Sequence, residues 1–176
     1  GSAMQSAALA WLVYSTTGSA ALLGTLAVFR LGPLLLLALP AGVLIDRWPK
    51  RRVLIATQTS FMLQAMVLSW LAFGGRASYQ AILLVSLLSG ITQAFDAPCR
   101  RSFLVDLVGR DDLLNAVSLN SAVSSMAAIA GPALAGAAMA KLGGGWCFLI
   151  NAVTHTVVVF ALLAVSTEGK ASEVRV

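Results

Sequence analysis

Charge is what this sequence has least of: Asp, Glu, Lys and Arg make up 11% of its 176 residues, against about 25% in a soluble domain. A water-facing surface of ordinary polarity cannot be built from that inventory. Histidine occurs once and cysteine twice, and neither Cys99 nor Cys147 sits in a metal-ligand spacing. A long apolar run separates the two cysteines, which puts them on opposite sides of a membrane, and a disulfide needs Cα atoms within ~7 Å. No nucleophile triad, phosphate loop or metal cluster is present, so the sequence reads as no enzyme, with no catalytic residue and no cofactor. Basic residues exceed acidic ones by 12 to 7, yet the longest basic run is Lys50-Arg51-Arg52. That excludes the basic tract a nucleic-acid partner would need. No charged segment precedes the first apolar run, so that run is not expected to be a signal peptide.

What is there is apolar: 59% hydrophobic residues and a mean hydropathy of +0.87. A bilayer core ~30 Å thick takes about 20 apolar residues per helical span. Apolar runs fall at residues 3–14, 20–45, 52–73, 79–95, 113–140 and 146–165, followed by a polar tail, 167–176. The expected fold class is therefore all-α, a polytopic membrane protein with one six-helix unit over residues 1–166 and the start of a linker or tail after it. The first run is too short to cross. Either roughly ten residues of a full ~20-residue span lie upstream of Gly1, or Gly-Ser-Ala-Met is an added leader.

Nine basic residues (Arg47, Lys50, Arg51, Arg52, Arg100, Arg101, Arg110, Lys170 and Arg175) fall in the gaps on one side of these runs, and only Arg76 and Lys141 on the other. The positive-inside rule puts the nine in the cytoplasm, with the C-terminus, in a plasma membrane (a bacterial inner membrane). Gly74-Gly75 and Gly143-Gly144-Gly145 are expected to make tight external turns. Trp11, Trp48, Trp70 and Trp146 fall near the interfaces, as in aromatic belts.

The second and third runs are joined by Gly42-Val43-Leu44-Ile45-Asp46-Arg47-Trp48-Pro49-Lys50-Arg51-Arg52. This resembles the loop signature of the major facilitator superfamily, G-x-x-x-D-R-x-G-[RK]-[RK], with Pro49 in place of its second glycine. A second stretch, Ala94-Phe95-Asp96-Ala97-Pro98-Cys99-Arg100-Arg101, continues through Leu104-Val105-Asp106-Leu107-Val108 to Leu119-Asn120-Ser121. It resembles the branch of that superfamily holding the enterobactin exporter and macrolide-efflux-type proteins. The likeness runs from Ala10-Trp11-Leu12-Val13-Tyr14 to Trp146-Cys147-Phe148-Leu149-Ile150-Asn151-Ala152. Gly131-Pro132-Ala133-Leu134-Ala135-Gly136 is similar to the antiporter motif G-P-x-x-G-G. The drug–proton antiporters carry an arginine where this chain has Ser86, four residues before Gly90, and relatives often carry an aspartate where it has Ser2.

The resemblance implies half of a transporter fold, two inverted three-helix repeats, whose second half encloses the substrate site. Gly42, Asp46, Arg47, Lys50, Arg51, Asp96 and Arg100 would form a cytoplasmic charge cluster that holds one transport state closed; the alternative is a solvated loop of weak ion pairs. Gly42 lets another helix approach closely. Gly131, Pro132 and Gly136 would form a hinge and packing surface on helix 5, or simply a tightly packed stripe. Gln5, Arg30, Gln93 and Asn120 are candidates for a substrate cavity, with Ser86, Ser89 and Ser124 beside them. A charge at the depth of Arg30 costs at least ~2.5 kcal/mol unless compensated; an anionic substrate, a group outside the chain or water would compensate it, or the side chain would snorkel or cap carbonyls. His155, in the middle of the sixth run, reads as a packing histidine, with a proton relay as the sharper alternative. The expected function is secondary transport, export of small amphipathic molecules of drug or siderophore type, with lipid, a small-molecule substrate and a second six-helix half as partners. A non-transporting six-helix scaffold and a self-dimerising half-transporter are the alternatives.

Overall fold

The computed structural model describes residues 2–45, 47–108 and 112–164. Six helices follow in order: α1 Ser2–Thr17, α2 Ala20–Ile45, α3 Lys50–Phe73, α4 Tyr79–Val108, α5 Leu113–Leu142 and α6 Gly144–Ala164. Among the described residues there is no strand. In hydrocarbon every backbone N–H and C=O must be paired within its own segment, which selects helices. Five of the six, α2 to α6, are long and apolar enough to cross a membrane. Pro33, Pro40, Pro98 and Pro132 all sit inside helices. Neighbouring helices satisfy the carbonyls that proline frees, so such positions are tolerated in membrane bundles.

The largest departure from the sequence reading is α4. It does not stop at residue 95 but runs through Pro98 to Val108, 30 residues in all, or ~45 Å. Asp96, Arg100, Arg101 and Asp106 therefore lie on a helix and not in a loop. Their charges broke the hydropathy pattern, but the spacing of Asp96 and Arg100 pairs them on one helical face. Lys50 likewise is not in a loop; it is the first residue of α3 and is buried. Asp46 and Arg110, and the tail at 167–176, lie outside the described residues.

The packing pattern carries the internal symmetry. α2 packs on α4, and α1 on α5; α3 packs on α6; α3 meets α4, and α1 meets α6. Exchanging the first three helices for the last three maps each of these contacts onto another, or onto itself, as inverted repeats require. The α2–α4 and α1–α5 crossings each close on a glycine. A Cβ on Gly90 would collide with the backbone carbonyl of Arg30, and one on Gly131 would come within 2.7 Å of the Ala3 Cβ. Without a hydrophobic force between helices in lipid, such close approach is what holds them. Gly42 and Gly136, expected to be approached by neighbours, have nothing within 4 Å of where a Cβ would stand. They lie on α2 and α5, and little of either helix is covered: only Leu26, Ala41 and Ile45 of α2 and Ala135 of α5 are buried.

Gly75 (φ 60°) and Gly143 (φ 90°) turn the chain between α3 and α4 and between α5 and α6 in a backbone region that side chains disfavour. Gly144 and Gly145 belong to the first turn of α6 instead; a Cβ on Gly145 would meet the Phe73 ring at 2.8 Å. Trp146 meets the same ring edge-on, with centroids 5.8 Å apart.

Two apolar clusters stack along the bundle. One, toward the glycine turns, joins Leu9, Val13, Leu68, Ile82, Ala135 and Phe148. The other, toward the basic residues, joins Ala41, Ile45, Leu54, Cys99 and Phe103. The free cysteines Cys99 and Cys147 fall in different clusters. Between the two lies a layer of polar side chains.

Candidate functional site

The polar layer begins on α3, where Thr57, Ser60 and Gln64 recur at three- and four-residue spacing and so share one helical face, with Gln58 next to Thr57. Gln64 Nε2 donates to Ser60 Oγ at 2.8 Å and to Thr92 Oγ1 at 3.2 Å, and Gln64 Oε1 accepts from Ser89 Oγ. Interhelical hydrogen bonds of this kind stabilise a membrane bundle by ~0.6 kcal/mol each on average.

Asp96, 3% exposed, is the hub of a second set. Thr57 Oγ1 donates to its Oδ1 at 2.8 Å and Gln58 Nε2 at 2.7 Å, while Arg100 Nη2 donates to its Oδ2 at 2.9 Å. Gln58 Oε1 lies 2.8 Å from His155 Nδ1 on α6, and the imidazole stacks on Phe61 with centroids 5.4 Å apart.

Of these groups, Phe61, Ser89, Asp96, Arg100 and His155 border a cavity of about 600 Å³ within the bundle, inside the ~300–1,000 Å³ range of small-molecule sites. Gln5, Arg30, Gln93 and Asn120, singled out in the sequence, all line it, as do Ser2, Ser86, Ser89, Ser124 and His155. Three cations (Arg30, Arg100 and Arg101) face it, with Asp96 the single carboxylate among the described residues of its lining. Asp96 is already engaged by three donor groups, so the cavity is net basic.

Arg30 has a partner the sequence did not suggest: its Nη1 donates to Ser6 Oγ on α1 at 2.8 Å. Among the described residues no carboxylate pairs with it. One of five guanidinium donors is thus directed to a neutral oxygen. Asn151 on α6 donates through Nδ2 to Gln5 Oε1. Its Oδ1 has no hydrogen-bond partner among the described residues although the side chain is buried. A lone buried acceptor costs ~1–3 kcal/mol, which a donor on a bound molecule would offset.

The expected charge cluster at the basic end separates into individual contacts. Lys50 Nζ pairs with Asp106 Oδ2 at 2.8 Å, with the side chains 5% and 26% exposed. Arg51 donates through Nε to the Leu162 carbonyl and through Nη2 to that of Leu163, both at 2.8 Å, clamping the last turn of α6. Arg47 is exposed, and Asp46 lies outside the described residues. Asp96 with Arg100 forms a separate pair at the cavity, not a solvated loop contact. Gly131 packs against α1, whereas Pro132 and Gly136 are exposed. Sequence reasoning missed Ser6, Thr57, Gln58, Asp106 and Asn151 as members of these networks. The polar run on α3 was the available signal for two of them; the others depend on pairings between residues far apart in the chain.

Two inverted helix triplets, of which five helices can span a membrane, built around a polar cavity, define half of a major facilitator superfamily fold. The chain belongs to the transmembrane secretion effector family of that superfamily, whose family model matches residues 1–175. It is 32% identical over 156 residues to the staphyloferrin A transporter of Staphylococcus aureus, covering 88% of this chain and 39% of that protein. It is 30% identical over 172 residues to the multidrug efflux pump Tap of Mycobacterium tuberculosis, covering 92% of this chain and 40% of that one. The Tap pump of Mycolicibacterium fortuitum matches at 30% over 169 residues, with 92% and 41% covered. The chain thus spans about two fifths of the length of these relatives. No solved structure matches it significantly.

Proposed function

We propose that this chain is one half of a secondary transporter that exports small amphipathic molecules, of drug or siderophore type, by alternating access. The cavity carries this reading: a polar, net-basic space of about 600 Å³ within a largely apolar bundle. Family membership supports it, and so do relatives named as a siderophore transporter and a multidrug efflux pump. Gln5, Gln93, Asn120 and the Asn151 carbonyl offer a substrate neutral hydrogen bonds, and Arg30 offers a charge.

The partner in this reading is a second six-helix half, covering the exposed faces of α2 and α5. Leu35, Leu36 and Leu39 on one helix and Leu114, Met126 and Ile129 on the other each expose 71% or more of their surface. Gly42 and Gly136, open here, are where that half approaches most closely. The basic end faces the cytoplasm by the positive-inside rule, in a bacterial inner membrane, with six spans. At that end Lys50–Asp106 and the Arg51 clamp hold the helix termini together, and Asp46, on the strength of the sequence signature, joins Arg47 in gating the outward-open state.

The test is flux of a fluorescent amphipathic dye into inverted vesicles carrying the full-length polypeptide. Asp46→Asn is expected to reduce flux sharply with insertion intact, and Arg30→Ala to weaken handling of anionic dyes more than of cationic ones. Undiminished flux in the first, or unchanged affinity for every dye in the second, would contradict the assignments.

A further inference from the structure

His155 is the single histidine of the chain, and it ends a hydrogen-bonded line that starts at a buried carboxylate. The direction of that line is forced by donor–acceptor chemistry. An ionised carboxylate only accepts, so Gln58 turns its NH₂ to Asp96 and its oxygen to His155. That oxygen also only accepts, so the hydrogen of a neutral imidazole sits on Nδ1. With a proton on Asp96 Oδ1, the opposite direction is equally satisfied: the carboxyl O–H donates to Gln58 oxygen, the NH₂ donates to Nδ1, and the ring hydrogen sits on Nε2. Thr57 can follow, because its hydroxyl has the Leu54 carbonyl as a second acceptor at 3.1 Å. Arg100 keeps Oδ2 in both arrangements. A half-turned line would leave buried groups unpaired at ~1–3 kcal/mol each, so two discrete states result.

We propose that Asp96, Gln58 and His155 form a proton-binding switch, in which one proton taken up by Asp96 turns the Gln58 amide over and moves the His155 hydrogen from Nδ1 to Nε2. The proton comes from water in the cavity, which both Asp96 and His155 line. An O–H bond forms on Asp96; the ring gains a hydrogen at Nε2 and returns one from Nδ1 to water. Net uptake is one proton, and the charge of the trio rises by one.

The charged surroundings are few. Arg100 and Arg101 lie on α4 itself, the first on Asp96 and both on the cavity. From α3 comes Lys50, whose ammonium is held by Asp106. α2 supplies Arg30, which bonds Ser6, and α6 supplies His155. Among the described residues, α1 and α5 face the cavity with uncharged groups: Ser2, Gln5, Ser6, Leu9, Asn120 and Ser124. Among the described residues of the lining, Asp96 and His155 are the ionisable side chains besides the arginines. Ser86 and Ser2 stand where the related antiporters carry charge, and the switch gives the chain a proton site elsewhere. Coupling of this proton to flux rests on the transport reading; the switch itself does not.

The test is ¹⁵N NMR of the histidine-labelled full-length polypeptide in lipid nanodiscs, with the His155 signals identified by their loss in His155→Gln. The wild type should hold the Nδ1–H tautomer at high pH and pass to Nε2–H as pH falls. Asp96→Asn should hold Nε2–H throughout, since Arg100 claims its oxygen and leaves its NH₂ to Gln58. Gln58→Leu should abolish the tautomer change. A wild-type ring that passes straight to imidazolium with the same midpoint in Asp96→Asn overturns the proposal. So does an Nδ1–H ring in that variant, or, if it does not fold, a tautomer change that survives Gln58→Leu. A switch that works in a protein without flux would overturn the transport reading alone.

Discussion

Lys50 is 4% exposed and its ammonium sits 2.8 Å from the Asp106 carboxylate, so removing one partner strands the other. Lys50→Met is expected to destabilise the bundle by ~3 kcal/mol or more, whereas Lys50→Met with Asp106→Leu recovers most of the loss. Thermal unfolding in detergent, followed by tryptophan fluorescence, measures both. A double variant no better than the single one would show that the charges are not paired in the membrane. The sequence placed Lys50 in a basic loop because a run of cations after a helix reads that way; a partner 56 residues downstream leaves no local trace. Arg30 shows the same limit. Its depth was legible from its place in an apolar run, but its contact with Ser6 depends on how α1 and α2 cross. Gln5, Arg30, Gln93 and Asn120 could be picked out individually because polar groups are rare in these runs, and the fold sets them around one space.

Glycines separate the elements into those already packed and those still open. Gly90 lies against the Arg30 backbone, and Gly42 and Gly136 lie against nothing. Gly90→Val is therefore expected to force α2 from α4 and lower the unfolding temperature, because the opposing atom is backbone and cannot rotate away. Gly42→Ala and Gly136→Ala are expected to leave the stability of this bundle unchanged. Equal losses at all three, in the same thermal assay, would contradict the packing described. At this scale the six helices were legible, since hydropathy alone separates apolar runs from turns. The end of α4 was not. Asp96, Arg100, Arg101 and Asp106 imitate a loop in any pattern based on polarity, and only their burial, pairing or exposure along a continuing helix resolves them. Glycine density similarly suggested a turn at Gly144 and Gly145, where the glycines instead admit Trp11 and Phe73 against α6.

For the whole molecule, inverted repeats leave α1, α3, α4 and α6 supporting one another while α2 and α5 present apolar faces outward. If a second half covers those faces, Gly42→Leu and Gly136→Leu will impair dye flux while this half still inserts and stays folded. Normal flux in both would remove that docking face from the account. The central claim is that the polar cavity is the route a substrate takes. Cys99 and Cys147 are both fully buried, so a cysteine placed at Asn120, exposed on the cavity side of α5, can be followed against a quiet background. The decisive measurement is the rate at which a water-soluble maleimide labels Asn120→Cys in the reconstituted, dye-transporting protein. The account predicts labelling that slows as transported dye approaches saturation. A site that stays unlabelled, or labels at one rate whether or not dye is present, would contradict it.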